Sequence, residues 1–132
     1  MVDLPVTSLT TAFCGLLLLL LAMMTVRRRF QLRVGFGDGG DRKLIAAGRS
    51  HGNLAEHAPI VLIMLGLVEA GGANRVAVAT VAVAFCIGRI LHVVGLHTPS
   101  EGGPPPSRAL GVMLTWVVLA ALSGMLVVQA TS

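Results

Sequence analysis

Polar positions along this chain come in blocks, separated by long apolar runs. No residue from Leu4 to Val26 is charged, a stretch that includes "CGLLLLLLAMM", and none is charged from Ala109 to Ala130. Each run satisfies the about 20 residues that a membrane-spanning helix needs. Two further segments, 44–69 and 75–97, are long enough to span but carry charge, and the Gly-rich stretch "EAGGANR" separates them. Inside hydrocarbon every backbone N–H and C=O must find a partner within its own segment, which makes helices the economical solution. The pattern therefore predicts an all-α, integral membrane four-helix bundle in a single domain, with helices at about 4–27, 44–69, 75–97 and 107–130. The first run is too long for a signal peptide, its basic residues follow it, and no A-x-A site appears, so it is read as part of the mature protein.

Composition agrees with this class: 55% of residues are hydrophobic and the mean hydropathy is +0.84. Charge adds an orientation. Arg27, Arg28, Arg29, Arg33, Arg42 and Lys43 crowd the first connection and Arg108 ends the third, whereas the opposite side offers Arg75. The positive-inside bias places loops 1 and 3 in the cytoplasm and both termini outside. The net charge of +4 sits at a membrane edge, where it attracts anionic lipid headgroups; no basic domain with interleaved aromatics suggests a nucleic-acid partner. Cys14 and Cys86 lie in apolar spans without a C-x-x-C and read as small buried hydrophobes. "SEGGPPPSR" reads as a stiff turn leading into the fourth helix.

The densest polarity is "RSHGNLAEHAP", at residues 49 to 59. On a helix, spacings of four and three stack Arg49, Asn53 and Glu56 into one stripe, with His57 at its margin and His51 pointing away. Ile60, Ile63 and Leu67 continue the stripe, so polarity is confined to one half of the span. Ionisable groups within a span cost about 2.5 to 3.5 kcal/mol each and are expected to face a bundle interior or a wet cavity. The third span adds Arg89 and His92 in "GRILHVVG", and Arg108 opens the fourth helix at the same level. Taken singly, these groups have plainer readings. Arg49 and Glu56 could neutralise each other to fix packing, Arg89 could snorkel to headgroups, and His92 could be a satisfied interior group. Together they supply guanidiniums for carboxylates, with one carboxylate and one amide for an ammonium or peptide group, which suits a small zwitterion bearing more than one carboxylate. A metal site fits poorly, because His51, Glu56 and His57 share no face and no H-x-x-x-H or E-x-x-H occurs.

The run R-x-x-x-N-x-x-E-x-x-P, here Arg49, Asn53, Glu56 and Pro59, resembles the second-helix motif of the MAPEG family, the membrane-associated proteins of eicosanoid and glutathione metabolism. With "GDGG", "GRILHVVGL" and "SRALGVMLTW" around it, the chain looks like the family's small bacterial branch. That resemblance implies a homotrimer in a bacterial inner membrane, binding glutathione between neighbouring subunits at the cytoplasmic side. It implies that Arg49 and Arg27 hold glutathione carboxylates, and that Asn53 and Glu56 hold the peptide and the γ-glutamyl amino group. Arg89 and His92 would line the pocket beside His57, and Arg108 would activate the thiol. The chain departs from the family at its tyrosines, for it has none. His57 stands where many members have one, and His97 and Val112 stand near other such positions.

Three functions are compatible with the sequence. The first is a glutathione-dependent transferase or peroxidase acting on hydrophobic electrophiles or lipid hydroperoxides. The second is a binding or scaffold protein whose stripe locks a trimer or holds lipid headgroups. The third is a small four-helix exporter, for which Glu56 could serve as the acid, although the first helix lacks one. The second substrate is set by how Leu, Val and Ala side chains shape a groove, and the sequence does not name it.

Overall fold

A computed structural model describes residues 3–132 of the chain. Four helices follow one another: α1 (Pro5–Leu32), α2 (Arg42–Ala70), α3 (Arg75–His97) and α4 (Pro106–Thr131). All four are long and apolar enough to cross a membrane. α1 packs on α2 and α3, α4 packs on α3 and α2, and α1 and α4 make no close approach. The paired α2 and α3 therefore form the centre, with α1 and α4 on either flank. Leu21, Leu54, Val61, Leu65, Val68, Val78, Phe85 and Leu122 are fully enclosed between them, while Leu16, Ile63, Val83, Val117 and other large apolar side chains face outward, as lipid contact requires.

The helix boundaries follow local chemistry. Asp41 caps α2 by accepting from the Leu44 backbone N–H, and Asn74 caps α3 by accepting from the N–H groups of Val76 and Ala77. Helix α1 extends past the expected end at residue 27, through the arginine run to Leu32. Charge ends a hydrophobic span but does not end a helix, and Arg, Gln and Leu are good helix formers. The stop comes at Arg33, which adopts a left-handed conformation (φ 55°) while the N–H groups of Arg33 and Val34 return to the carbonyls of Phe30 and Arg29. Pro59 lies inside α2 without ending it.

Helix α1 has no side-chain cap of its own. Glu69, at the far end of α2, supplies one: its carboxylate accepts from Val6 N (2.9 Å), Thr7 N (2.8 Å) and Thr7 Oγ1 (2.6 Å). At the arginine-rich end, Arg28 grips Asp41 with two parallel bonds, Nε to Oδ1 at 3.0 Å and Nη2 to Oδ2 at 2.7 Å. The α1–α2 pair is thus pinned at both ends. α3 and α4 are joined differently, by glycines. A methyl group on Gly111 would lie 2.6 Å from both the Gly88 carbonyl and the His92 nitrogen, so the two backbones touch at that crossing.

Candidate functional site

Helical spacing places Arg49, Asn53 and Glu56 along one face of α2, as the sequence predicts. That face is not the interior of the bundle. Arg49 and Glu56 are exposed, Asn53 is half-buried, and Ile60, Ile63 and Leu67 continue the line on the outer surface. The polar half of the face lines a cavity of about 390 Å³, walled by Thr25 and Arg29 of α1, by Gly37 and Asp38 of the first connection, and by Gly48 and Gly52 of α2. Those two helical glycines have no neighbouring atom where a side chain would project, which leaves the cavity floor open.

A second cavity of about 340 Å³ lies on the other side of Arg49. Arg42 and Arg49 of α2 line it, with Gly95 and Leu96 at the end of α3, Ser100 and prolines of the third connection, and Arg108 in the first turn of α4. Arg49, with Ile45 one turn before it, is common to both walls, and it is the polar one. The first cavity combines guanidiniums with two carboxylates, Asp38 and Glu56, and an amide; the second has three guanidiniums and no acid.

Arg89 and His92 do not line either cavity, contrary to the expectation for them. Both are buried, at 2% and 5% exposure. Arg89 points across the bundle instead of snorkelling. Its Nη1 donates to Asn53 Oδ1 at 2.6 Å, and its Nη2 donates to the Gly111 carbonyl at 3.2 Å and to Thr115 Oγ1. Thr115 in turn donates to the Gly111 carbonyl at 2.9 Å, and the Arg89 guanidinium stands 5.5 Å from the centre of the Phe85 ring. Ser50 Oγ, Arg89 Nε and His92 Nδ1 are buried without a hydrogen-bond partner among the described residues. His57 also turns away from the first cavity, and its Nδ1 donates to the Asn53 backbone carbonyl at 2.9 Å.

Arg27 is exposed and lines neither cavity; Arg29 occupies the wall expected of it. The reason is the length of α1. On a continuing helix, residues 27 and 29 point about 200° apart, and Arg29 lies one turn beyond Thr25 on the cavity side. Arg29 was legible only to a reading that carried the helix through its charges. Thr25 and Asp38 gave no such signal.

This arrangement defines the protein's class first: a multi-pass, all-helical membrane protein with a polar site carried on the flank of its second helix. The sequence matches the MAPEG family over residues 7–128. The chain belongs to that family. It is similar to the inner membrane protein YecN of Escherichia coli K12 and to the protein of that name in the O6:H1 strain CFT073, each 36% identical over 92 residues covering 70% of both chains. No solved structure matches it.

Proposed function

We propose that the chain is a glutathione-dependent transferase or peroxidase of a bacterial inner membrane, with loops 1 and 3 in the cytoplasm. The observation that carries this reading is the position of Arg49 between the two cavities. On one side Asn53, Glu56 and Arg29 offer donors and an acceptor for a zwitterion bearing carboxylates; on the other, Arg108 offers a guanidinium with no acid beside it. Glutathione has two carboxylates, one ammonium, two peptide groups and a thiol, and could lie across Arg49 with its sulfur toward Arg108. A free thiol with a pKa of about 8.5 is mostly protonated at neutral pH, and an adjacent guanidinium favours the thiolate. In a transferase that thiolate would form a carbon–sulfur bond to an electrophile, either displacing a leaving group that departs with its electron pair or adding across an activated double bond whose carbanion then takes up a proton. In a peroxidase, two glutathiones would give up two electrons and two protons, converting a hydroperoxide to an alcohol and water and forming glutathione disulfide.

Family membership supports the reading, and so does the exposed position of the stripe. Charged groups on the outer face of a single subunit at membrane depth are costly unless something covers them. A neighbouring subunit in a homotrimer would cover Ile60, Ile63 and Leu67 and complete the site, leaving a lipid-facing groove for the hydrophobic second substrate. The inner-membrane assignment draws on the name of the Escherichia coli relatives.

The test is a titration of detergent-purified protein with glutathione, following thiolate ultraviolet absorbance, in wild type and in Arg108→Ala. The expected result is a saturable thiolate signal in wild type. Arg108→Ala should still bind glutathione by calorimetry but lose the thiolate and the conjugating activity. No binding at millimolar glutathione would overturn the reading and leave the stripe as a packing or lipid site.

A further inference from the structure

Arg89 is a buried cation without a counter-ion. Among the described residues the one ion pair is Arg28–Asp41, and every partner of Arg89 is neutral: the Asn53 amide oxygen, the Gly111 carbonyl and the Thr115 hydroxyl. A guanidinium carries donors only. The atom of the Asn53 amide that faces it must therefore be the oxygen, because the opposite orientation would set N–H against N–H inside the bundle. The amide cannot turn over while Arg89 is there. Its other end, Nδ2, donates to nothing among the described residues, and Asn53 lines the first cavity between Arg49 and Glu56.

The backbone of Asn53 is held as firmly as its side chain, through the bond from His57 Nδ1 to its carbonyl. Arg89 is itself fixed from the other side by α4, where Gly111 lets the α3 and α4 backbones touch. Three helices thus converge on the direction in which one amide points.

We infer that Arg89 is a positioning residue: it holds the Asn53 amide with its NH2 toward the cavity, so that the middle of the site reads a hydrogen-bond acceptor on the ligand. An asparagine free to rotate would accept either a carbonyl or an N–H group at that point. Locked, the face of α2 presents donor, donor and acceptor at Arg49, Asn53 and Glu56, with steps of about 6 Å and about 4.5 Å along the helix. A matching ligand offers a carboxylate, then a carbonyl or carboxylate oxygen, then an ammonium or N–H. The uncompensated charge behind the amide adds to the preference for an oxygen acceptor, since it polarises the Asn53 N–H bonds through the shared hydrogen bond. This deepens the glutathione reading and rests on it for the ligand, though not for the orientation.

The experiment has one arm without ligand and one with it. The chain's asparagines are Asn53 and Asn74, so selective isotope labelling of asparagine yields two side-chain amide pairs by NMR, assigned with Asn74→Asp. Arg89→Met should shift the Asn53 pair and leave the Asn74 pair in place; an unmoved Asn53 pair overturns the proposal whatever the ligand. In the second arm, glutathione should move the Asn53 amide protons downfield in wild type. Arg89→Met should weaken binding about tenfold or more, and by more than the melting temperature reflects, because removing the guanidinium relieves a buried charge while leaving the Asn53 oxygen without its donor, two effects on stability that oppose each other. Arg89→Lys, which can still donate to Asn53 Oδ1, should recover part of the affinity. Should Arg89→Met fail to fold, Asn53→Asp serves in its place. It keeps a partner for Arg89 but turns an acceptor toward the cavity, and binding equal to wild type would overturn the proposal. Wild type that binds no glutathione, combined with a shifted Asn53 pair in Arg89→Met, would overturn the ligand and retain the locked amide.

Discussion

Gly95 and Arg108 meet backbone to backbone: a methyl group added at Gly95 would stand 2.4 Å from the Arg108 nitrogen and 2.7 Å from its Cα. The last turn of α3 thereby sets where α4 begins, and with it the guanidinium that lines the second cavity. Gly95→Ala must push these elements apart. Overpacking of this kind costs about 1 to 3 kcal/mol, so the melting temperature should fall. Because the displacement falls on Arg108 and not on Asn53 or Glu56, glutathione-dependent turnover should fall further than glutathione affinity. Parallel losses of both would show that the contact serves stability alone.

Glu69 lies at the opposite end of the bundle from both cavities and joins α1 to α2 through three hydrogen bonds to the first turn of α1. The amide N–H groups of a helix's first turn have no partners within the helix and carry its positive end, so a carboxylate there is doubly favourable. Glu69→Gln keeps the shape but loses the charge and one acceptor. The expected cost is about 1 to 3 kcal/mol, read as a lower melting temperature together with faster amide hydrogen exchange over the first turns of α1. Glutathione affinity should not change, and a matching loss of affinity would mean that the two ends are coupled.

These two relationships differ in how far the sequence announces them. The apolar runs make the four helices plain, and the spacing of Arg49, Asn53 and Glu56 puts them on one face without any structure, because both signals are periodic and local. The glycines of "GRILHVVG" lie in plain view, but the closeness of Gly95 to Arg108 depends on how α3 meets α4. Glu69 opens the Gly-rich stretch between two spans and carries no periodic signal of its own. What it caps lies more than sixty residues away, and the hint was indirect, the want of a capping side chain before Pro5. Arg89 is recognisable as an interior charge from its place in a span. Its partner is not, since the second-helix motif points Asn53 at a ligand, and an asparagine has two ends.

Glu56 is the acid in the first cavity that belongs to a helix, one turn beyond Asn53 and exposed to the cavity space. If it accepts from the ligand's ammonium, Glu56→Gln should weaken glutathione binding by about 1.5 to 3 kcal/mol, the range for a hydrogen bond to a charged group. It should leave the stability within about 0.5 kcal/mol of wild type, as an exposed substitution does. An analogue of glutathione lacking the amino group should bind wild type and Glu56→Gln alike. If it still discriminates between them, the carboxylate has another partner and the ammonium is held elsewhere.

Asp41 joins the two helices that wall the first cavity. The Arg28 guanidinium bonded to it, and then the Leu44 N–H it accepts from, hold its carboxyl down at about 2. The ordinary value of an unfolded aspartate is about 3.9. A folded value below the unfolded one means that the contribution is present in full above the unfolded value and is lost as the pH falls through the folded one. Asp41→Asn tests this cleanly, because asparagine still caps α2 and only the ion pair is removed. The variant should melt below wild type by a constant margin from neutral pH down to about 5, the margin should narrow through about 4 and 3, and it should close near about 2. Since the pair is partly open to solvent, salt should shrink the margin as well. A margin that closes near neutral pH would assign the effect to a histidine instead. One that persists below about 2 would mean that asparagine fails as the cap, and that the loss has nothing to do with Arg28.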